Sequence, residues 1–379
     1  MLERVEFRRF RSLVNVDIGL APMTVLVGKN GSGKSSVLLG IERMYALAHH
    51  NEYQSHTLGR AGQVFSNGYS VDRLAHSKGP SPHGFKIELL GSGFGKYSVE
   101  ATVGTEKGAP RATFDLRRTG EPSEPDVELS PRAGTDAAFF RPMPELLGSC
   151  AWCRPNAPAV AEPSYSESAD PHVLPDGTGV ASVLQKLQLL RDGRFEAVEE
   201  GLRRVVPFVK RLRAAPAQVR RREHQVVSVD GQDFSSYPER DRTGARIEAE
   251  VEGAGWLGAD QLSEGTLLTI AVLTAVHDVH PRTLLLDDID HALHPSAQGA
   301  FVAELRRIQG DPVGIQIIAT THSPFVVDHL QVEEVRVMSL SAGASRCVPL
   351  ASHPKWAKRS GFLNPGEFWS GVGEDWVGG

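Results

Sequence analysis

The chain has 379 residues, 40% of them hydrophobic and 23% charged, with a formal net charge of -5. Those values describe an ordinary globular protein able to bury a sizeable core, and they carry no bulk signature of a nucleic-acid-binding polypeptide. No apolar run approaches the ~20 residues that span a bilayer, and three cysteines make no disulfide framework. Met1-Leu2-Glu3-Arg4-Val5 mixes acid and base where a secretory signal is apolar, so a cytoplasmic protein without membrane association is expected.

Residues 2–15 read as a charged, half-buried strand and turn, and Val16-Asp17-Ile18-Gly19-Leu20 alternates like an edge strand. The apolar run Met23-Thr24-Val25-Leu26-Val27 then enters Gly28-Lys29-Asn30-Gly31-Ser32-Gly33-Lys34-Ser35, and a helix-like Val37-Leu38-Leu39-Gly40-Ile41-Glu42 follows. Strand, glycine loop and helix in that order make a G-x-x-x-x-G-K-S match a P-loop. Glycines let the backbone turn tightly and aim N–H groups at phosphate oxygens, and the helix start adds its dipole. Asn30, Gly31, Ser32, Gly33, Lys34, Ser35 and Ser36 are therefore candidate ligands of a nucleoside triphosphate. Lys34 is placed to reach the β- and γ-phosphates and the Ser35 hydroxyl to hold Mg²⁺.

Residues 49–82 are polar and without period. Phe85 to Leu89, Tyr97 to Val103 and Thr113 to Leu116 alternate, predicting an antiparallel meander with one wet face. Proline and glycine crowd residues 120–134, which predicts an exposed connection. After Gly177-Thr178-Gly179, one helical face collects Val180, Val183, Leu184, Leu187 and Leu190, and Phe195, Val198 and Leu202 continue it past Gly193. Val226 to Val229 runs into the turn signal Asp230-Gly231, with Arg246 to Val251 as the expected hairpin partner. The tail from Pro354 carries Trp356, Phe362, Phe368, Trp369 and Trp376, residue types that either pack back or dock a partner chain.

Thr283-Leu284-Leu285-Leu286-Asp287-Asp288 reads as a buried strand delivering carboxylates at its C-terminal end, the edge where open α/β sheets bind ligands. Asp287 is the expected Mg²⁺ residue, and Asp288 the residue that orients or deprotonates the attacking water. Asp288 and Asp290 read equally as caps of the helix after His291. Leu262-Ser263-Glu264-Gly265-Thr266 opens an apolar helix, where Ser263 and Gly265 form a second anion-binding end. Gln316 to Thr321 forms a strand ending at His322, whose imidazole could hydrogen-bond a γ-phosphate.

These stretches, together with Ala292-Leu293-His294-Pro295 and Thr320-Thr321-His322-Ser323-Pro324, resemble in order and spacing the ABC-type ATPase heads of the SMC/RecF/OLD group. The likeness is to compact members without coiled-coil arms or a Toprim domain. It implies an α/β fold: a P-loop mixed sheet, an antiparallel sub-sheet and an inserted helical lid. It implies one discontinuous domain, with the nucleotide core at about 1–130 and 205–350, the lid at about 135–204 and the aromatic tail at 354–379. The nucleotide is then ATP with Mg²⁺, and two heads form a two-fold dimer around two ATP molecules. Ser263, Glu264 and Gly265 of one copy would meet the γ-phosphate held by Lys34 of the other. His322 would sense that phosphate and residues 290–294 would face the opposite head; the glutamine that in such heads bridges Mg²⁺ and water has no assigned position, Gln54 and Gln63 being its candidates. Such heads usually carry glutamate where this chain has Asp288; the side chain is one methylene shorter, so slow hydrolysis is expected.

By analogy the output is regulation of a separately encoded effector in prokaryotic anti-phage defence. Two alternatives stand beside it: a RecF-like repair ATPase that binds DNA, and a scaffold merely locked by ATP. Three weaker signals remain. Cys150-Ala151-Trp152-Cys153 has the spacing of half a zinc site with no second pair, and His291 and His294 are three apart in the loop after the acidic strand. Lys210, Arg211, Arg213 and Arg220-Arg221-Arg222 read either as phosphate contacts or as a charged strand edge.

Overall fold

Val5, Phe7 and Phe10 alternate with charged residues, and in the computed structural model they face inward from strand β1 (Leu2–Phe10). The structure describes residues 1–49, 74–76, 83–91, 95–106, 109–119, 127–129, 148–222, 225–229, 232–236, 238–310 and 314–378. They fall into two units. The first comprises Met1–Trp152, Pro281–Asp290 and Leu305–Gly379, and the second Cys153–His280 and His291–Glu304.

In the first unit, β1 pairs antiparallel with β2 (Leu13–Gly19), which is an edge strand as its pattern predicts. Strand β3 (Met23–Val27) is buried throughout and leads through the glycine loop into helix α1 (Lys34–His49). Strands β4 (His83–Gly91), β5 (Gly95–Glu106), β6 (Ala109–Thr119) and β7 (Val127–Leu129) extend the antiparallel sheet in the order β2-β1-β4-β5-β6-β7. This is the expected meander. Helix α1 crosses β1 closely enough that a Cβ at Gly40 would lie 2.4 Å from the Phe7 ring, so only glycine fits there. Strand β8 (Cys150–Cys153) returns to the edge of a second sheet.

The second unit begins with helices α2 (Ala157–Ala161), α3 (Val180–Leu190) and α4 (Arg194–Val205). Helix α3 buries Val180, Val183, Leu184 and Leu187 as predicted, but Leu190, assigned to the same face, is 52% exposed. The helix has reached its last residue there, and Arg191 follows in the left-handed conformation. Strands β9 (Val209–Arg222), β10 (Gln225–Val229), β11 (Gln232–Ser236), β12 (Glu239–Val251) and β13 (Gly255–Gly258) follow. One expectation is overturned here. Val226–Val229 pairs with Gln232–Ser235, while Arg246–Val251 belongs to β12 and pairs with β9 and β13. An alternating strand fixes which face is buried and not which neighbour it takes. Helix α5 (Glu264–Val279) is buried along nearly its whole length. The region expected as lid thus falls in the second unit from Cys153 onward, and this unit also holds β9, β12 and α5.

The first unit resumes with β14 (Thr283–Leu286); helix α6 (Pro295–Gln309), which belongs to the second unit up to Glu304, precedes β15 (Gln316–Thr321) and the short α7 (Pro324–Val327). Strands β16 (Val335–Ser341) and β17 (Ala344–Pro349) lead to helices α8 (Trp356–Arg359) and α9 (Pro365–Val372). The second sheet has the order β17-β16-β3-β15-β14-β8. Strands β16, β3, β15 and β14 run parallel to their neighbours, and β17 returns antiparallel. This mixed sheet and the antiparallel sheet share one core with α1, built on Phe7, Phe10, Leu26, Leu38, Leu285, Ile318 and Met338. Among the described residues no helix is long and apolar enough to cross a membrane.

The aromatic tail packs back onto the first unit. Phe368 and Trp369 are buried, and His353 and Trp356 meet the Phe368 ring edge-on at 5.1 and 5.0 Å. Phe362 is 88% exposed. Replacing Phe368 by Ala is expected to cost about 3–5 kcal/mol in urea unfolding, whereas Phe362→Ala is expected to stay within about 0.5 kcal/mol.

Candidate functional site

Every strand of the parallel ladder ends at the same edge, and the chemistry-bearing residues follow those ends. Gly28 leaves β3 with φ 145° and Gly31 and Gly33 follow at 79° and 102°, so the loop uses backbone geometry that side chains resist. A Cβ at Gly28 would also lie 2.1 Å from the Met338 carbonyl, while one at Gly31 would meet nothing within 4 Å. The loop is thus tight against the sheet on one side and open on the other. Lys34 is buried, and its Nζ donates to the Gly28 and Lys29 carbonyls at 2.7 and 3.1 Å. Burial pushes its ammonium below the usual lysine range, against the opposing pull of Asp288, Asp287, Asp290 and Glu374.

The loop fits a polyphosphate. Among the described residues, the N–H groups of Gly31, Gly33, Lys34 and Ser35 meet no acceptor. The Ser32 hydroxyl is buried with no hydrogen-bond partner. A buried donor left unmade costs free energy, and phosphate oxygens would satisfy these donors and offset the desolvation of Lys34. Asn30 and Gly31 are exposed at the loop tip, and Ser36 sits in the first turn of α1, its N–H bonded to the Gly33 carbonyl at 3.0 Å.

Across the loop, Ser35 Oγ donates to Asp287 Oδ1 at 2.9 Å. Asp287 is buried and takes a second bond from Thr320 Oγ1 at 2.7 Å, and Thr320 Oγ1 accepts the Asp288 N–H at 2.7 Å. Ser35 and Asp287 together present the oxygen pair that a hard divalent cation takes. Asp288 adopts φ 55° and its carboxylate lies 3.7 Å from His322 Nε2. Asp290 accepts from Thr321 Oγ1 at 2.6 Å and from the His322 N–H at 3.1 Å, which orients the histidine turn. Neither aspartate caps α6, which begins at Pro295, so the capping alternative falls. The first unit therefore brings together Lys34, Ser35, Asp287, Asp288 and His322. Thr320 was not foreseen. Its only sequence signal is register: Leu286 lies opposite Ala319, so the next residue of β15 faces Asp287.

In the second unit Ser263 caps α5, accepting the Thr266 N–H at 3.3 Å. Ser263 and Glu264 are exposed, and Glu264 lies 3.2 Å from His291 Nε2. Gly265 is buried against the next turn of its own unit, where a Cβ would lie 2.6 Å from the Ala292 carbonyl. Gln54 and Gln63 lie outside the described residues.

The weaker signals resolve toward structure. Cys150 and Cys153 are free, three apart on a strand and so on opposite faces, and burial pushes the Cys153 thiol up to about 12. His294 Nδ1 meets Ser296 at 2.9 Å. The basic stretch is strand β9, and β12 answers it with acids: Arg211 faces Glu250, Arg213 faces Glu248 and Arg220 faces Asp241. Asp170, His172 and Asp278 could hold a metal ion, but Lys186 Nζ already pairs with both carboxylates.

The protein family described as "AAA domain, putative AbiEii toxin, Type IV TA system" matches residues 23–328. The chain belongs to this AAA-domain family. Its fold is that of an ABC-type ATPase head of the SMC/RecF/OLD group. Locally it is 45% identical over 60 residues to the DNA replication and repair protein RecF of Citrobacter koseri, covering 16% of each chain. It is 43% identical over 42 residues to the OLD nuclease of Thermus scotoductus, covering 11% of this chain and 8% of that one. The chain thus matches only a small part of these relatives' length. Among solved structures, the Smc head domain of Pyrococcus furiosus with an extended coiled coil, bound to the C-terminal domain of ScpA, superposes with TM-score 0.56. That match has 14% identity and covers 95% of this chain and 99% of that one. An Smc head bound to the C-winged helix domain of ScpA gives TM-score 0.54 at 14% identity, covering 92% and 96%.

Thr320→Val keeps the shape but removes both of these hydrogen bonds, leaving the Asp288 N–H unmade. It is expected to destabilise the first unit by about 1–3 kcal/mol in urea unfolding; a change below about 0.5 kcal/mol would remove Thr320 from the scaffold of the site.

Proposed function

We propose that this AAA-family head binds Mg²⁺–ATP at the loop around Lys34, hydrolyses it slowly and closes as a two-fold homodimer that regulates a separate effector. The observation that carries the reading is the meeting of Lys34, Ser35, Asp287, Asp288 and His322 at one sheet edge. Ser35 and Asp287 would hold Mg²⁺, which supplies charge neutralisation on the phosphate oxygens. Asp288 orients and deprotonates the attacking water, and His322, held by Asp290, donates to the γ-phosphate. The exposed Ser263–Glu264 tip of α5 supplies the donors that one copy offers to the nucleotide of the other. The family's description as "putative AbiEii toxin, Type IV TA system" supports a role in a toxin–antitoxin system of that kind; regulation of a separate effector in prokaryotic anti-phage defence, in the cytoplasm, is the analogy drawn from it.

A second reading has its own support. The local identity to RecF favours a DNA-binding repair ATPase, which predicts DNA-stimulated turnover and salt-sensitive binding. The acid-neutralised strand β9 offers DNA little free positive charge, which favours the first reading.

Phosphate release and light-scattering mass, each with and without ATP, test the proposal. Turnover is expected below roughly 10 s⁻¹, the median for enzymes. Lys34→Ala should lose nucleotide binding, and Asp288→Ala should keep it while turnover falls about 10²–10⁴-fold. Ser263→Arg should keep nucleotide binding and lose the ATP-dependent doubling of mass. A mass indifferent to ATP in the wild type would reject the dimer, and fast turnover would reject the slow cycle.

A further inference from the structure

The C-terminal segment returns to the nucleotide loop and is fastened at both ends. At its start, the Gly366 and Glu367 N–H groups donate to Asp328 Oδ1 at 2.9 and 3.1 Å. The approach is close: a Cβ at Gly366 would lie 2.0 Å from the Pro324 carbonyl. Asp328 ends α7, the short helix that follows the His322 turn. At the other end the chain leaves α9 at Gly373, and the Glu374 and Asp375 carboxylates lie 3.6 and 3.7 Å from Lys29 Nζ. Lys29 is the second residue of the P-loop. Between the fastenings Phe368 and Trp369 are buried, and just past the second one Trp376 meets His353 edge-on at 4.7 Å. The segment is a packed span reaching from the histidine turn to the phosphate loop.

We propose that residues 364–378 form an acidic strap that competes with the phosphates of bound nucleotide for the P-loop, so that nucleotide binding and strap release are coupled. This rests on the nucleotide-binding reading of the loop. Glu374 is 8% exposed, so solvent screens its charge poorly, whereas Lys29 and Asp375 are open to water. A polyanion entering the loop meets repulsion from Glu374 and competes for the Lys29 ammonium. Exposed pairs such as Lys29–Asp375 hold weakly, so the phosphates take Lys29 over at small cost. Release at Lys29 frees Glu374 and Asp375 to move away from the loop, and the hold on Asp328 carries that movement toward His322. Linkage makes the effect reciprocal: whatever the strap subtracts from nucleotide affinity, nucleotide subtracts from strap docking.

Two measurements on the full chain test this. The first is the affinity of a fluorescent ATP analogue with Mg²⁺ for wild type and for Glu374→Gln/Asp375→Asn, both checked for an unchanged melting curve. The variant is expected to bind at least about fivefold more tightly, the lower end of ordinary coupling between sites. The second needs no variant: amide hydrogen exchange across 364–378 in wild type should accelerate when the analogue binds. Unchanged affinity in the folded variant, or exchange indifferent to nucleotide, overturns the strap while leaving the nucleotide site intact. A wild type that binds no analogue removes both readings together.

Discussion

Asp287 is the residue on which the arrangement hangs. One of its carboxylate oxygens takes the hydroxyl of Ser35 from the start of α1 and the hydroxyl of Thr320 from the end of β15. Three elements distant in sequence are thereby tied at one buried oxygen, and Thr320 extends the tie to the backbone of Asp288. A buried carboxylate is tolerable only when hydrogen-bonded, so the loop, the acidic strand and the neighbouring strand stabilise one another in a single geometry. The open side of the loop at Gly31 and the unmet N–H groups then face a place already shaped before any ligand arrives.

How much of this could be read beforehand depended on whether the signal was local. The strand–loop–helix around Lys34, the acidic end of β14 and the histidine end of β15 each lie within one short stretch of consecutive residues, where spacing alone carries the chemistry. Thr320 was invisible because its role comes from parallel register, which no window of sequence contains. The partner of Val226–Val229 was misassigned for the same reason: alternation specifies a face, and several strands offered one. The basic residues of β9 left a phosphate-contact reading open because the acids opposite them, Asp241, Glu248 and Glu250, lie far along the chain. Glu374 and Asp375, at the far end of an aromatic tail, gave no hint that they would lie beside the phosphate loop.

The second unit shows a different economy. Helix α5 is buried almost throughout, yet Ser263 and Glu264 at its first turn remain exposed. Gly265 sits one residue further in, pressed against the Ala292 carbonyl. An apolar shaft therefore anchors a short polar tip, and the glycine lets the turn carrying Ala292, itself at φ 56°, approach that tip. The packed shaft behind it fixes where that exposed tip is held.

The place of β3 in its sheet has a consequence for assembly. Its neighbours are β15 and β16, made from residues 316–341, so the strand that presents the glycine loop lacks both partners until most of the chain exists. Parallel pairing between such remote segments is slow to close, because loop entropy must be overcome before any contact is gained. During translation at about 5–20 residues per second, the phosphate-binding motif is therefore made long before the strands that render it competent.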